Sequence, residues 1–365
     1  MTTEATFSPD WFSKPGDTIR SQMRRRGVAA GDLASQLEGG WATLRGLLDG
    51  SVAIDARHAT SLGAAVGGTP SFWLQRQERY KVALDRAIER ASLAEGDEWL
   101  GLPVPGPRPR GALTDARRRD EVGRRLAFFN VGTMAAWHAR YGQLMANVRF
   151  RASRAFPADQ GATLMWLRSG EMAADLVTTR PWSPDELRAR LPAIRALTRI
   201  AQPSRFLPRL AELGSEAGVA VVVQEAPAGC RASGAVRMIA PDKVVLLLSL
   251  RHRSDDHFWF TVFHEVGHLL LHGAQTFVDG EDTTDDERER EANDFASRCI
   301  VPPEREAELR ALGDDATAVI RLSVSLGISP GLTVGQLQHR GLLPRERLNR
   351  LKRRWALAEF AVPGR

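Results

Sequence analysis

Cysteine is nearly absent from this chain: Cys230 and Cys299 are the only two among 365 residues. Two thiols cannot build the multi-bridge framework of a small secreted scaffold, and they suit a reducing compartment. Long apolar runs are missing as well. The longest, Val244 to Leu250, is far shorter than the roughly 20 residues that span a bilayer, so no membrane partner is expected. The opening residues, MTTEATFSPDWFSKPGD, have neither the basic start nor the apolar block of a signal peptide, and the expected location is the cytoplasm. No internal repeat recurs at a solenoid period. What is present is an ordinary globular balance, 43% apolar and 26% charged, in a chain long enough for two or three domains. The net charge of +6 suits a nucleic-acid partner, but an arginine-rich, merely well-solvated surface produces the same value.

The expected fold class is α+β and mostly helical. Residues 17 to 90 alternate helical patterns with short polar turns. The stretch GLPVPGPRPRGA, residues 101–112, is too rich in proline and glycine for helix or sheet to propagate and reads as a linker. Helical spacing returns over 113–204, where Ser183 reads as an N-cap, with Pro184 at the first helical position and Glu186 three residues on. Three apolar or β-branched runs follow, GVAVVVQ (218–224), ASGAVRMI (232–239) and KVVLLLSL (243–250), and predict a small three-stranded sheet. A helix is then expected over 255–272, an acidic loop after it, and a second helix through EREANDFASRCI that ends at Pro302 and Pro303.

The first of these helices contains His264-Glu265-Val266-Gly267-His268. Histidines four residues apart project from one helical face and can share a metal ion, while Glu265 lies close enough to reach a metal-bound water. About 0.01 matches to this spacing are expected by chance from the chain's histidine and glutamate content. A catalytic zinc needs a third protein ligand. His272 sits roughly 12 Å along the axis from His264, too far for one ion to touch both, and reads instead as a surface or supporting histidine. In the second helix Ala292, Phe295, Ala296, Cys299 and Ile300 form the apolar stripe. Glu289 falls inside it, Glu291 at its edge and Glu287 outside it. A buried carboxylate needs a partner such as a divalent cation, which makes Glu289 the expected third ligand and Glu291 the alternative. Asn293, one turn on, is either a support for a ligand or a solvent-facing amide. Zn2+ held by His264, His268 and Glu289, with Glu265 as general base, points to peptide-bond hydrolysis. His272 and nearby arginines are candidates for stabilising an oxyanion.

FWFTVFHEVGHLLLHG followed by EREANDFASRCIVPP resembles the ImmA/IrrE family of zinc metallopeptidases, over about residues 205–345. The resemblance implies a zincin-like peptidase domain with metal ligands at His264, His268 and Glu289 and a general base at Glu265. It also implies, as protein substrate, a repressor or similar regulator of stress or mobile-element genes. AFFNVGTMAAW and its surroundings, within 113–204, are similar to the helical segment preceding this domain in longer members. Residues 346–365 then read as a C-terminal basic helix or tail.

Residues 31–77, within a domain of residues 1–100, resemble the helix-turn-helix of the XRE class, in the HigA-like subgroup. Leu33, Ala34 and Leu37 would pack its first helix, and Leu44, Leu47 and Leu48 its second. The resemblance places Trp41, Ala42 and Arg45 at the end of the second helix that would meet double-stranded DNA. The pattern departs from the class at Glu38, where a turn glycine is usual, at Gly40, where a capping Ser or Thr is usual, and at Gly46 inside the helix. A docking or dimerisation module, including a homodimer, is therefore the competing expectation for this part. Arg24 to Arg26 and the cluster Arg117, Arg118, Arg119, Arg124 and Arg125 are either phosphate grips or solvated surface. For the whole chain, the competing function is a non-enzymatic, HigA-like antitoxin or transcriptional regulator whose zinc domain senses or only stabilises.

Overall fold

The computed structural model describes residues 13–107, 111–146, 158–273, 277–278 and 287–360. The chain divides into two compact units, residues 1–168 and 169–365.

The first unit is helical, with α1 (Pro15–Arg26), α2 (Ala30–Ser35), α3 (Gly40–Asp49), α4 (Ala56–Val66), α5 (Pro70–Ala94), α6 (Gly96–Gly101), α7 (Asp115–Phe129) and α8 (Met134–Ala146); α9 (Ala158–Ala174) begins in it. Ile19, Leu33, Leu44, Leu47, Leu62, Val66 and Trp73 are buried between the first five helices. The turn from α2 to α3 is made by Gly39 and Gly40, with φ of +85° and +58°. The left-handed Gly39 is the N-cap, one residue earlier than the sequence reading placed it, because two consecutive positive φ values are needed to reverse the chain after Glu38. Gly46 serves packing: a Cβ there would lie 2.4 Å from Val52 Cγ2, where the chain folds back and the amides of Gly50 and Val52 donate to the Gly46 carbonyl.

The Pro/Gly-rich stretch read as a linker runs between helices that share one core. Ala87, Ala91, Trp99 and Leu102 pack with Val122, Leu126, Phe129, Trp137, Tyr141 and Leu164. Arginines of α7 hold the stretch down, Arg125 Nε donating to the Leu102 carbonyl at 2.9 Å and Arg124 to Pro105 at 2.7 Å. Part of the second arginine cluster is thereby structural: Arg125 is buried against Glu121, and Arg118 pairs with Asp97. Burial pushes the Glu121 carboxyl up, but its bonds to Arg125 and Arg124 outweigh this and hold it below the usual range.

The second unit contains α10 (Pro184–Leu197), α11 (Pro203–Glu216), β1 (Val219–Gln224), β2 (Gly234–Ala240), β3 (Lys243–Ser249), α12 (Asp255–Leu271), β4 (Phe277–Val278), α13 (Glu287–Ile300), α14 (Glu306–Arg310), α15 (Ala316–Leu326) and α16 (Pro330–His339). Ser183 caps α10 by accepting from the Glu186 amide. The three expected strands are joined by the short β4 in the order β1-β3-β2-β4, with β1 parallel to β3 and the other pairs antiparallel. β3 is buried on both faces, which explains its unbroken apolar run. Val244, Leu246 and Leu248 face the main core, while a Cβ on Gly170 would meet the Leu247 side chain on the opposite face. That face also holds a 2.8 Å ion pair between Arg237 and Glu171.

Leu187, Ile194 and Leu197 of α10 belong to the same core as the sheet, so this part of the expected connecting segment is integral to the second unit. So are Leu348, Trp355 and Phe360, from the segment read as a basic tail: apolar side chains spaced among its arginines fasten residues 348–360 to the core. Trp355 Nε1 donates to the Ala201 carbonyl at 2.7 Å, and Arg353 donates to the carbonyls of Thr198 and Arg199. Among the described residues no single helix is long and apolar enough to cross a membrane.

α12 is enclosed by β2, β3, α10, α13 and α16. Its start is pinned through Asp255, which accepts from the Ser329 hydroxyl at 2.8 Å and the Arg353 amide at 3.1 Å. Asp256 pairs with Lys352 at 2.6 Å. Burial lifts the Asp255 carboxyl to about 6; the Ser329 hydrogen bond opposes this and the neighbouring Asp256 charge adds to it. Below about pH 6 the folded carboxyl takes up a proton, whereas the unfolded one stays ionised down to about 3.9, so this group adds stability as the pH falls through that window. Asp255→Asn should abolish that gain. Denaturant unfolding at about pH 7.5 and about pH 4 should show the variant losing about 2–3 kcal/mol relative to wild type on going to the lower pH. Identical pH dependence in both proteins would contradict the assignment.

Candidate metal centre

α12 buries thirteen of its seventeen residues, including His264, Glu265 and His268. An all-round buried helix should be apolar throughout, so these three side chains require local compensation. It comes from α13, which crosses α12 at Gly267. A Cβ at that position would stand 3.1 Å from Phe295 Cδ1 and 3.2 Å from Ala292 Cα. The close approach delivers the first turn of α13 to the histidines. On α13, Glu289, Ala292, Ala296 and Ile300 are buried, whereas Glu287 and Glu291 are exposed.

Glu289 Oε2 lies 3.2 Å from His264 Nε2, and Glu289 Oε1 lies 3.4 Å from His268 Nε2. The two Nε2 atoms are 3.0 Å apart. A tetrahedral zinc with ligand distances near 2.0–2.1 Å keeps its donors about 3.3 Å from one another, so the three separations fit such an ion. Among the described residues, His264, His268 and Glu289 are the group able to offer converging ligand atoms.

The partners on the far side of each ring support this orientation. His264 Nδ1 meets Asn293 Oδ1 at 3.0 Å; that oxygen only accepts, so the proton sits on Nδ1 and Nε2 keeps its lone pair for the centre. His268 Nδ1 meets His272 Nδ1 at 3.1 Å, and His272 Nε2 meets Glu291 Oε2 at 2.7 Å. Two imidazole lone pairs aimed at one point repel unless a cation or a proton lies between them. Burial lowers the His268 pKa, with Glu289 opposing and His264 reinforcing the shift. Burial acts upward on Glu289, but hydrogen bonds from His264 and His268, donated when Nε2 carries a proton in place of a metal, prevail and bring it to about 2. Both shifts favour the protonation states a metal needs, a neutral imidazole and an ionised carboxylate.

Glu265 is fully buried on α12, with its carboxylate against the start of β2: a Cβ on Gly234 would lie 2.4 Å from Glu265 Oε1. Gly234 was not singled out from sequence, although a glycine opening a strand is a recognised mark of close approach. The Glu291–His272 contact was also missed, because it depends on how the two helices cross. His272 lies behind His268, with its nitrogens facing His268 and Glu291, which places it away from the oxyanion role considered above. Trp41, Ala42 and Arg45 all lie on α3; Ala42 and Arg45 are exposed, and Trp41 is half-buried.

Gly267→Val should separate α12 from α13, costing about 1–3 kcal/mol of stability by overpacking and weakening zinc binding in a chelator competition. Wild-type zinc affinity in that variant would show that the close crossing does not assemble the site.

No curated protein matches the chain. Residues 219–335, which contain every side chain of the centre, match the Peptidase_M78 family model, described as an IrrE N-terminal-like domain, and in that segment the chain is similar to a family of metallopeptidases.

Proposed function

We propose that the protein is a zinc-dependent endopeptidase whose substrate is a regulatory protein, a transcriptional repressor or similar regulator of stress or mobile-element genes. The observation that carries this reading is the convergence of His264, His268 and Glu289 beside the buried Glu265, within the segment similar to metallopeptidases. Two histidines and a carboxylate are the donor set of catalytic zinc sites, whereas structural zinc is normally closed by cysteines and histidines. In this reading the helix behind a small mixed sheet is a zincin-like arrangement.

His264 and His268 would hold the ion through Nε2, and Glu289 through its carboxylate. A zinc bound there supplies Lewis acidity, which makes a water acidic enough to attack near neutral pH and polarises the scissile carbonyl. Glu265 accepts the proton of the attacking water on its carboxylate and passes it to the leaving amine. Gly234 leaves the space in which that carboxylate lies. Asn293 keeps the His264 ring turned toward the centre by accepting its Nδ1 proton.

In the same proposal the N-terminal helices are a docking module for double-stranded DNA or a protein partner, a second copy of the chain included. The outward-facing Ala42 and Arg45 of α3, beside Trp41, support an interacting face there. The two free cysteines suit a cytoplasmic location.

Glu265→Gln tests the catalytic part. The variant should retain zinc, lose peptide-bond hydrolysis by about 10²–10⁴-fold and hold its uncleaved substrate, so that a regulator co-purifies with it from cells in which the wild type releases fragments. Hydrolysis of the captured protein at the wild-type rate by Glu265→Gln would overturn the assignment of the base.

A further inference from the structure

We propose that His272 and Glu291 are positioning residues for the ligand His268, a second pair, outside the ligand set, that fixes its ring and strengthens its Nε2 as a donor. The proposal rests on the reading of His264, His268 and Glu289 as metal ligands.

His272 ends α12. Its backbone N–H still donates to the His268 carbonyl, and its ring packs against the His268 ring with centroids 5.2 Å apart. The His272 side chain is only 6% exposed, whereas that of Glu291 is 53% exposed, so the pair runs from the buried centre to the surface. The contacts are 3.1 Å between the two Nδ1 atoms and 2.7 Å between His272 Nε2 and Glu291 Oε2.

With His268 Nε2 bound to a metal, one arrangement of protons satisfies every atom in this row. The Glu291 carboxylate only accepts, so His272 donates from Nε2. A neutral His272 then has a lone pair at Nδ1, which accepts the proton on His268 Nδ1. That in turn leaves the His268 Nε2 lone pair directed at the centre. A carboxylate at the end of the row polarises both imidazoles in the sense that enriches Nε2 of His268, and partners of this kind set ring orientation and ligand basicity at metal sites.

The other ligand is supported differently. Behind His264 stands the neutral amide of Asn293, at 3.0 Å. The two histidines are therefore unequal, with His268 backed by a charge and His264 by a dipole. α13 supplies all of this from three alternate positions: Glu289 to the centre, Glu291 to His272 and Asn293 to His264. The simpler role for His272 and Glu291 is a partly exposed ion pair that fastens two helix ends, contributing about 0–1 kcal/mol to stability and nothing to the metal.

Zinc alone, titrated into the full-length protein against a chelator, separates the two roles. His272→Ala and Glu291→Gln should each weaken zinc binding by about 10–100-fold, the effect typical of removing such support. His272→Gln should recover most of the loss, because its side-chain carbonyl can accept the His268 Nδ1 proton. Cobalt(II) in place of zinc should show altered visible absorption in the first two variants, and unfolding of the metal-free proteins should show that all remain folded. Zinc affinities of His272→Ala and Glu291→Gln within twofold of wild type would overturn the proposal and leave the metal centre standing. Failure of the wild type to bind zinc at all would overturn the metal-centre reading, and this proposal with it.

Discussion

Three ionisable side chains meet between two packed helices, and the surrounding structure makes their burial tolerable. His264, His268 and Glu289 occupy a space from which apolar residues exclude water on most sides. Burying a carboxylate costs several kcal/mol unless opposite charge or hydrogen bonds replace the lost hydration. The histidines offset part of this for Glu289, and an ion at the convergence point would offset the remainder while using the lone pairs that otherwise oppose each other. Gly267 permits the helix crossing that creates the contact, and Gly234 permits the neighbouring carboxylate. Asp255, Ser329 and Arg353 fasten the start of α12, so the chain's last segments contribute to holding the centre without touching it.

The elements of the centre were legible in the sequence because they follow helical periodicity. Two histidines at a four-residue spacing announce a shared face, and the apolar stripe of α13 sets Glu289 apart from Glu287 and Glu291 by position alone. The three main strands were legible for a related reason, being apolar runs bounded by turn residues. What escaped sequence reasoning depends on contacts between distant parts of the chain. β4 is two residues long and has no pattern of its own. Glu291 meets His272 only because of the angle at which α13 crosses α12. Gly234 and Gly267 show as small residues in the sequence, and their purpose emerges only when the neighbouring atoms are placed.

Proline and glycine misled in a consistent way. α6 ends at Gly101, as the composition after it predicts, yet the carbonyls of Leu102 and Pro105 are taken up by α7 instead of remaining solvated. Local composition specifies conformation, whereas domain separation depends on what the flanking apolar residues find to pack against. The same distinction applies to the arginines: Arg125 and Arg353 resemble solvent-facing charge in the sequence, and each is occupied with backbone carbonyls in the fold.

The proposed metal ion lies buried where α12 and α13 cross, held by two histidines and Glu289. Elemental analysis of the purified protein after exposure to zinc, beside His264→Ala, Glu289→Ala and Glu291→Ala under the same saturating conditions, tests this placement most directly. One zinc per chain is expected in the wild type and in Glu291→Ala, and none in the other two. A wild type that holds no zinc under these conditions, or a Glu289→Ala variant that keeps a full equivalent, would contradict it.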